Sequence, residues 1–229
     1  MAGPGGIDAN RDGGPPLTLG LTFSVALTVV TGAMDAITFT RLGEVFSSVM
    51  TGNLVLLGVS AGRADGALAI HVAVAVAGFV GGVLLAGVIT GPPARASGRW
   101  PPRVSAALAV ELALLAGFFV GWAVRGGRPD GTVQVVLLLL AATAMGVQTG
   151  AVRAIGISGL STTYLTGTLA GILATLVTDG RLQRRSLVIL AALIVGAAVA
   201  TLLVVHVPTA APALPVALLL VVLVGSRAV

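Results

Sequence analysis

The sequence predicts an all-α integral membrane protein, a compact helical bundle of about six full spans plus two short or broken helices. It is built from two repeats of about 115 residues, with an inverted arrangement favoured. Three observations predict this. Only 9% of the 229 residues are charged and 56% are hydrophobic, whereas a soluble domain carries about 25% charged residues. Apolar segments of near-spanning length recur along the chain. The half-polar stretch "MTGNLVLLGVSAGR" (Met50–Arg63) is also echoed by "LTGTLAGILATLVTDGR" (Leu165–Arg181).

The elements follow in order. Residues 1–16, "MAGPGGIDANRDGGPP", lack the basic and apolar regions of a signal peptide and read as a disordered tail. Residues 17–229 read as a single transmembrane domain, with repeat one over about 17–124 and repeat two over about 132–227. Eight apolar segments lie in it: Leu17–Thr40, Val45–Ala61, Gly66–Thr90, Val104–Val124, Thr132–Val152, Ser161–Val177, Ser186–Val207 and Pro212–Val224. A helical span needs about 20 residues, and six segments come close to that. Segments two and six are shorter. Each opens on hydroxyls: Ser47, Ser48 and Thr51 in one, Ser161, Thr162, Thr163 and Thr166 in the other. Loops are expected at Gly91–Arg103, Arg125–Gly131, Asp179–Arg185 and Pro208–Pro215, where Pro, Gly and Arg gather.

All 13 basic residues are arginines, and they fall between apolar segments. They read as topology signals, not as one basic face for nucleic acid. If all eight segments cross from a cytoplasmic N-terminus, eight arginines lie inside and five outside. If segments two and six dip in and return, the count is nine against four. The second arrangement suits the positive-inside rule better, and three crossings per half give an inverted repeat. There is no cysteine, which excludes disulfides and thiol chemistry.

Aligning Gly52 with Gly167 also aligns Thr51 with Thr166 and Leu54 with Leu169, and brings "TGAMDA" near "MGVQTGA". Within the first half, "GAMDAITFTRLGEVFSSVMTGNLVLLG" (Gly32–Gly58) carries a Gly-x-x-Asp-Ala step, an aromatic, Leu-Gly, Phe and Thr-Gly-Asn-Leu. Those positions are Gly32, Asp35, Ala36, Phe39, Leu42, Gly43, Phe46, Thr51, Gly52, Asn53 and Leu54. This pattern resembles the signature of the YoaK family, bacterial inner-membrane proteins of unknown function. The resemblance implies about six spans and an inner-membrane location, and no established activity.

The residues themselves suggest where chemistry could sit. Thr51, Gly52 and Asn53 fit the capped start of a broken helix or a tilted continuous one, with Thr166 and Thr168 as counterparts. Asp35, near the far end of segment one, either pairs with Arg41 or faces a cavity. Glu111 lies seven residues into segment four, about 10 Å deep at 1.5 Å per residue. A carboxyl there costs about 2.5–3.5 kcal/mol on insertion scales, so it needs a partner, water or a proton. Gln148 and Thr149 sit deep in segment five, and Arg153 follows as a helix end or a counter-charge. His71 and His206 lie near segment ends and form no metal pattern. The pairs Gly58/Gly62, Gly78/Gly82, Gly117/Gly121, Gly146/Gly150 and Gly167/Gly171 allow close helix approach and offer a homodimer face.

No enzyme motif occurs, and no metal or cofactor is expected. An intramembrane enzyme would have to pair Glu111 with His71. The leading expectation is a small-molecule secondary transporter or permease in the bacterial plasma (inner) membrane. Its substrate-binding or coupling residues would be Asp35, Thr51, Asn53, Glu111, Gln148, Thr149, Thr166 and Thr168, with a carboxyl coupling protons. The alternative is a non-transporting scaffold or partner-binding subunit.

Overall fold

The computed structural model describes residues 17–92, 101–155, 165–179 and 183–228. The N-terminal tail, Ser161 to Thr163 and the arginines at 95, 99 and 181 lie outside them. Among the described residues eight α-helices follow one another: α1 (Leu17–Arg41), α2 (Met50–Arg63), α3 (Gly66–Thr90), α4 (Pro102–Val124), α5 (Gly131–Ala154), α6 (Leu165–Asp179), α7 (Arg184–His206) and α8 (Ala213–Gly225). No strand occurs among the described residues. Helices are what lipid dictates, because only an internally bonded backbone leaves no orphan N–H or C=O in hydrocarbon. Six of them are long and apolar enough to cross a membrane, the last counting from Pro208 to Gly225.

The ends of these helices follow from local chemistry. Pro102 opens α4 at a position where its missing N–H costs nothing. Ala64 takes the left-handed conformation that closes α2, and the Asp65 carboxylate accepts from the Leu68 N–H to open α3. Gly126 and Gly127 turn the chain between α4 and α5 at positive φ, beside an Arg125–Asp130 ion pair. The expected loop Pro208–Pro215 is shorter than the sequence suggests. Pro208–Ala210 form a 3-10 turn and α8 begins at Ala213. The Pro208 carbonyl accepts from the Trp122 indole N–H at 2.7 Å, which ties this turn to α4.

Contacts between helices fix their directions. Gly32 lies against Leu193 and Ala197, and Arg41 reaches the Val204 carbonyl, so α1 and α7 run parallel. Gly78 meets Leu139 and Ala142, Gly82 meets Thr143 and Val147, and Gly150 meets Val83 and Ala86, so α3 and α5 also run parallel. Gln134 donates to the Arg41 carbonyl at 2.9 Å and Gln148 to the Leu27 carbonyl at 3.1 Å, which makes α5 antiparallel to α1. Trp122 near Pro208 and Ser105 near Ser226 make α4 antiparallel to α8.

The path of the short helices follows. Helix α3 is parallel to α5 and therefore antiparallel to α1, so α1 ends on the side where α3 begins. Gly43, just past α1, abuts the ring of His71 near the start of α3. The chain from 42 to 63 thus enters and returns on one side. By the same logic α5 ends on the side where α7 begins, so α6 is a return excursion on the opposite side. Six helices traverse the bundle, and α2 and α6 do not.

The packing sorts the traversing helices into two triplets. Helices α3, α4 and α5 form one, with α3 and α5 in the longest embrace. Helices α1, α7 and α8 form the other, centred on α1 and α7. Between triplets, α1 touches α5 and α4 touches α8 and the 3-10 turn. At each main crossing two backbones approach without side chains between them. A Cβ on Gly32 would overlap the Leu193 carbonyl and one on Gly196 the Val29 carbonyl. A Cβ on Gly82 would overlap the Thr143 carbonyl and one on Gly146 the Phe79 carbonyl. Small residues at such crossings let dispersion and weak Cα–H contacts act at short range. The Gly58/Gly62 pair has no atom within 4 Å of either added Cβ. We therefore expect Gly146→Leu to cost about 1–3 kcal/mol or more through overpacking, and Gly62→Leu almost nothing. Thermal unfolding of the purified protein in detergent checks the contrast.

Candidate functional site

Helix α1 carries a buried polar stripe. Ser24, Thr28, Thr31, Asp35 and Thr38 follow at alternating spacings of four and three and are all buried. In lipid their hydroxyls bond back to the helix. Thr28 Oγ1 donates to the Ser24 carbonyl at 2.7 Å, Thr31 to Leu27 at 3.0 Å and Thr38 to Asp35 at 3.1 Å. The sequence reading singled out only Asp35 from this stripe, although the four-three rhythm is legible in the letters.

Asp35 serves the segment between α1 and α2. One carboxylate oxygen accepts from the Ser47 hydroxyl at 2.9 Å and the Ser48 N–H at 2.8 Å, and the other accepts from the Ser48 hydroxyl at 2.5 Å. Asp35 pairs neither with Arg41 nor with an open cavity. It lies six residues before the end of α1, so the bonds hold Ser48 about 9 Å inside that end. Positive φ at Gly43 and Glu44 reverses the chain, and Phe46 stacks on Phe39 with centroids 5.0 Å apart. Asn53 locks the other side of the segment: its Oδ1 accepts from the Phe46 N–H at 2.9 Å and its Nδ2 donates to the Phe46 carbonyl at 2.7 Å.

The expected cap at Thr51 and Asn53 is corrected by this geometry. The N-cap of α2 is Val49, with no side-chain cap bond, and Thr51 is exposed. Asn53 lies one turn inside the helix and reaches back to the preceding segment, because the backbone of Phe46 offers a matched donor and acceptor. Thr166 and Thr168 fall on α6, but their side chains lie outside the described residues.

Gln148 joins the two triplets. Its Nε2 donates to the Leu27 carbonyl at 3.1 Å and to Thr31 Oγ1 at 2.8 Å, while its buried Oε1 has no donor. Thr149 Oγ1 donates to the Met145 carbonyl at 2.9 Å and is thereby used within α5. Glu111 is fully buried on the face of α4 that also carries Leu108, Leu115 and Phe118, and neither of its oxygens has a hydrogen-bond partner. Gly121 of α4 packs against Leu137 of antiparallel α5. Ten residues along each helix from that contact, Glu111 is level with Val147, next to Gln148. The structure thus separates the expected site into two. Asp35 and Asn53 knit the α1–α2 segment, and Glu111 and Gln148 share a layer about 10 Å inside the side on which α4 begins.

The histidines take no part in that layer. His71 Nδ1 bonds the Ala67 carbonyl at 2.8 Å, and its buried Nε2 is unpartnered. The register of α3 on α5 places it level with Gln134, about 20 Å from the Glu111 layer at 1.5 Å per residue. That separation removes the Glu111–His71 acid–base pair. His206 and Arg153 are exposed at their helix ends. Among the described residues, no group of three His, Cys, Asp or Glu could hold a metal ion.

The model for proteins of unknown function called DUF1275 matches residues 23–225. The chain belongs to the DUF1275 family. Its traversing helices, the Asp35 segment, Glu111 and Gln148 all fall inside the matched region. The chain is also 37% identical over 147 residues to the UPF0700 transmembrane protein YoaK of Bacillus subtilis (strain 168). That alignment covers 64% of this chain and 63% of the relative's length. No solved structure matches the chain. This DUF1275 member is a multi-pass membrane protein in contact with the lipid bilayer, as its six long apolar helices require.

Replacing Asp35 by Ala strands three donors in a dry setting, which we expect to cost about 3 kcal/mol. Asp35→Asn, which keeps one acceptor, should lose less. The midpoint of thermal unfolding in detergent measures both, and equal stability of Asp35→Ala and the native chain would contradict the assignment.

Proposed function

We propose that the protein is a small-molecule secondary transporter of the bacterial plasma membrane, built as an inverted repeat, whose substrate passes between the two helix triplets. The observation that carries this reading is the uneven packing: long glycine crossings inside each triplet and sparse contact between them. Gln134, Gln148 and Trp122 bridge the triplets by side-chain bonds to backbone carbonyls. If water enters the seam, these polar groups can exchange their partners for it, whereas a packed apolar interface gains no bond on wetting. Relative movement of two repeats around a midplane site is the usual basis of alternating access.

The repeat is supported by symmetry of placement. Gly32 and Gly82 make the same kind of backbone crossing as Gly146 and Gly196, which lie 114 residues further on in each case. Helix α1 crosses α7 as α5 crosses α3, and α5 is antiparallel to α1. Orientation follows from charge. Among the described residues, the side on which α1 begins carries Arg103, Arg153, Arg184, Arg185 and Arg227, against Arg41, Arg63, Arg125 and Arg128 on the other, which favours a cytoplasmic N-terminus. Glu111 and Gln148 then supply the polar contacts for substrate or coupling proton, and Asp35 and Asn53 hold the α1–α2 segment in place. Outward-facing glycines on α2 would serve a homodimer, in which Gly62→Leu would weaken association while leaving the fold of each monomer intact.

The rival reading, a scaffold or partner-binding subunit, draws support from the complete bonding of Asp35 and Asn53. The absence of cysteine gives a clean test. Thr31→Cys places one thiol at the buried seam between α1 and α5. In right-side-out and inside-out vesicles, transport predicts labelling by a membrane-impermeant maleimide from both faces. A disulfide between Ser105→Cys and Ser226→Cys, whose native hydroxyls are 3.4 Å apart, should suppress one of the two until reduced. Labelling from one face alone, or from neither, would overturn the transport reading.

A further inference from the structure

The layer that holds Glu111 and Gln148 contains an arrangement that the bonding of the rest of the protein does not account for. Glu111 Oε1 and Oε2 and Gln148 Oε1 are buried acceptors without a donor. The Gln148 amide is oriented by its own Nε2, which is committed to Leu27 and Thr31 on α1. Its oxygen, on the other branch of the planar amide, is left free of those two partners. Glu111 stands in the same layer on the neighbouring α4. Three acceptors and no donor in one dry layer form a site for a positively charged or acidic hydrogen.

The surroundings decide the size of the ligand. Glu111 is 0% and Gln148 1% exposed, and Leu108, Leu115 and Phe118 on the Glu111 face are fully buried. A proton needs no volume, whereas a metal ion or an amine would have to displace these side chains. Among the described residues, no charged partner competes. On α1, Asp35 is committed to Ser47 and Ser48, and Arg41 lies at the helix end. On α3, His71 is far along the axis. Arg103 begins α4 itself, Arg153 ends α5 exposed to its surroundings, and Arg227 follows α8.

We propose that Glu111 and Gln148 form a proton-binding pair inside the membrane, in which the Glu111 carboxyl carries the proton and donates it in a hydrogen bond to Gln148 Oε1. No covalent bond other than the O–H is made or broken. The proton enters from water when the triplets part and leaves as Glu111 carboxylate re-forms. Gln148 also bonds α1, so loading Glu111 fastens α4 to α5 and α1 together. This link between proton binding and the state of the seam rests on the transport reading above; the proton-binding pair itself does not.

Infrared difference spectroscopy of the full chain in lipid vesicles, stepped in pH, tests the pair without any substrate. The native protein should show a protonated-carboxyl stretch that is lost in Glu111→Gln, retained in Asp35→Asn, and moved in frequency in Gln148→Leu. A band that survives unchanged in Glu111→Gln would overturn the proposal, as would an unshifted band in Gln148→Leu. If Glu111→Gln fails to give monodisperse protein, Glu111→Asp replaces it, and a band unmoved by the shorter acid overturns the proposal equally. The two readings separate cleanly. A Glu111 band with Thr31→Cys unlabelled leaves the proton site standing and removes transport. Two-faced labelling with a band indifferent to Glu111 does the reverse.

Discussion

In hydrocarbon a polar group can bond only to its own protein, and this single constraint organises the molecule. Five buried side chains on α1 have an oxygen to satisfy, and three threonines do so within the helix by bonding the preceding turn. Asp35 has too many lone pairs for that, so it recruits Ser47 and Ser48 from the segment that follows. Their capture bends the chain inward and fixes where α2 starts. Asn53 completes the fold of that segment by matching the amide of Phe46. What resembles a row of site residues in the sequence is largely the means by which a non-helical stretch survives inside a membrane.

The same rule isolates Glu111 and Gln148. Every other described buried carboxylate or carboxamide has its partners, and the exceptions are these two and the Nε2 of His71. A protein that satisfies Asp35 so thoroughly can satisfy a glutamate when satisfaction is all that is needed. This unpartnered pair is the ground on which we propose a proton-binding site.

Much of the fold is legible in the letters. Segment one, read as Leu17–Thr40, is α1 to within a residue, and the brevity of segments two and six is real. Near-continuous apolar runs are unambiguous when lipid is the solvent. The error in segment two is instructive. Val45 to Val49 looks like the front of a helix by hydropathy, yet Gly43 and Glu44 turn left-handed and Asp35 holds the serines off the helical path. Hydropathy cannot report a bond made to a residue one helix away. Gly32, Gly82, Gly146 and Gly196 were visible as small residues. Which of them would face which was not, because the partner of α1 lies more than 140 residues downstream. Glu111 could be singled out from its depth alone, but its companionship with Gln148 depends on the register of α4 against α5.

The partnership of α1 with α7 has a bearing on biosynthesis. Helix α1 is made before the other described helices and carries five buried polar side chains, and its main packing partner, α7, follows more than 140 residues later. Until α7 arrives, Gly32 has no backbone to lie against and the threonine stripe has only its own turns to bond. The α3–α4–α5 triplet can assemble meanwhile around Gly82 and Gly146. The nascent chain thus has to hold α1 beside an unfinished bundle while α2 to α6 are made, and the second triplet closes only once α7 and α8 have been inserted.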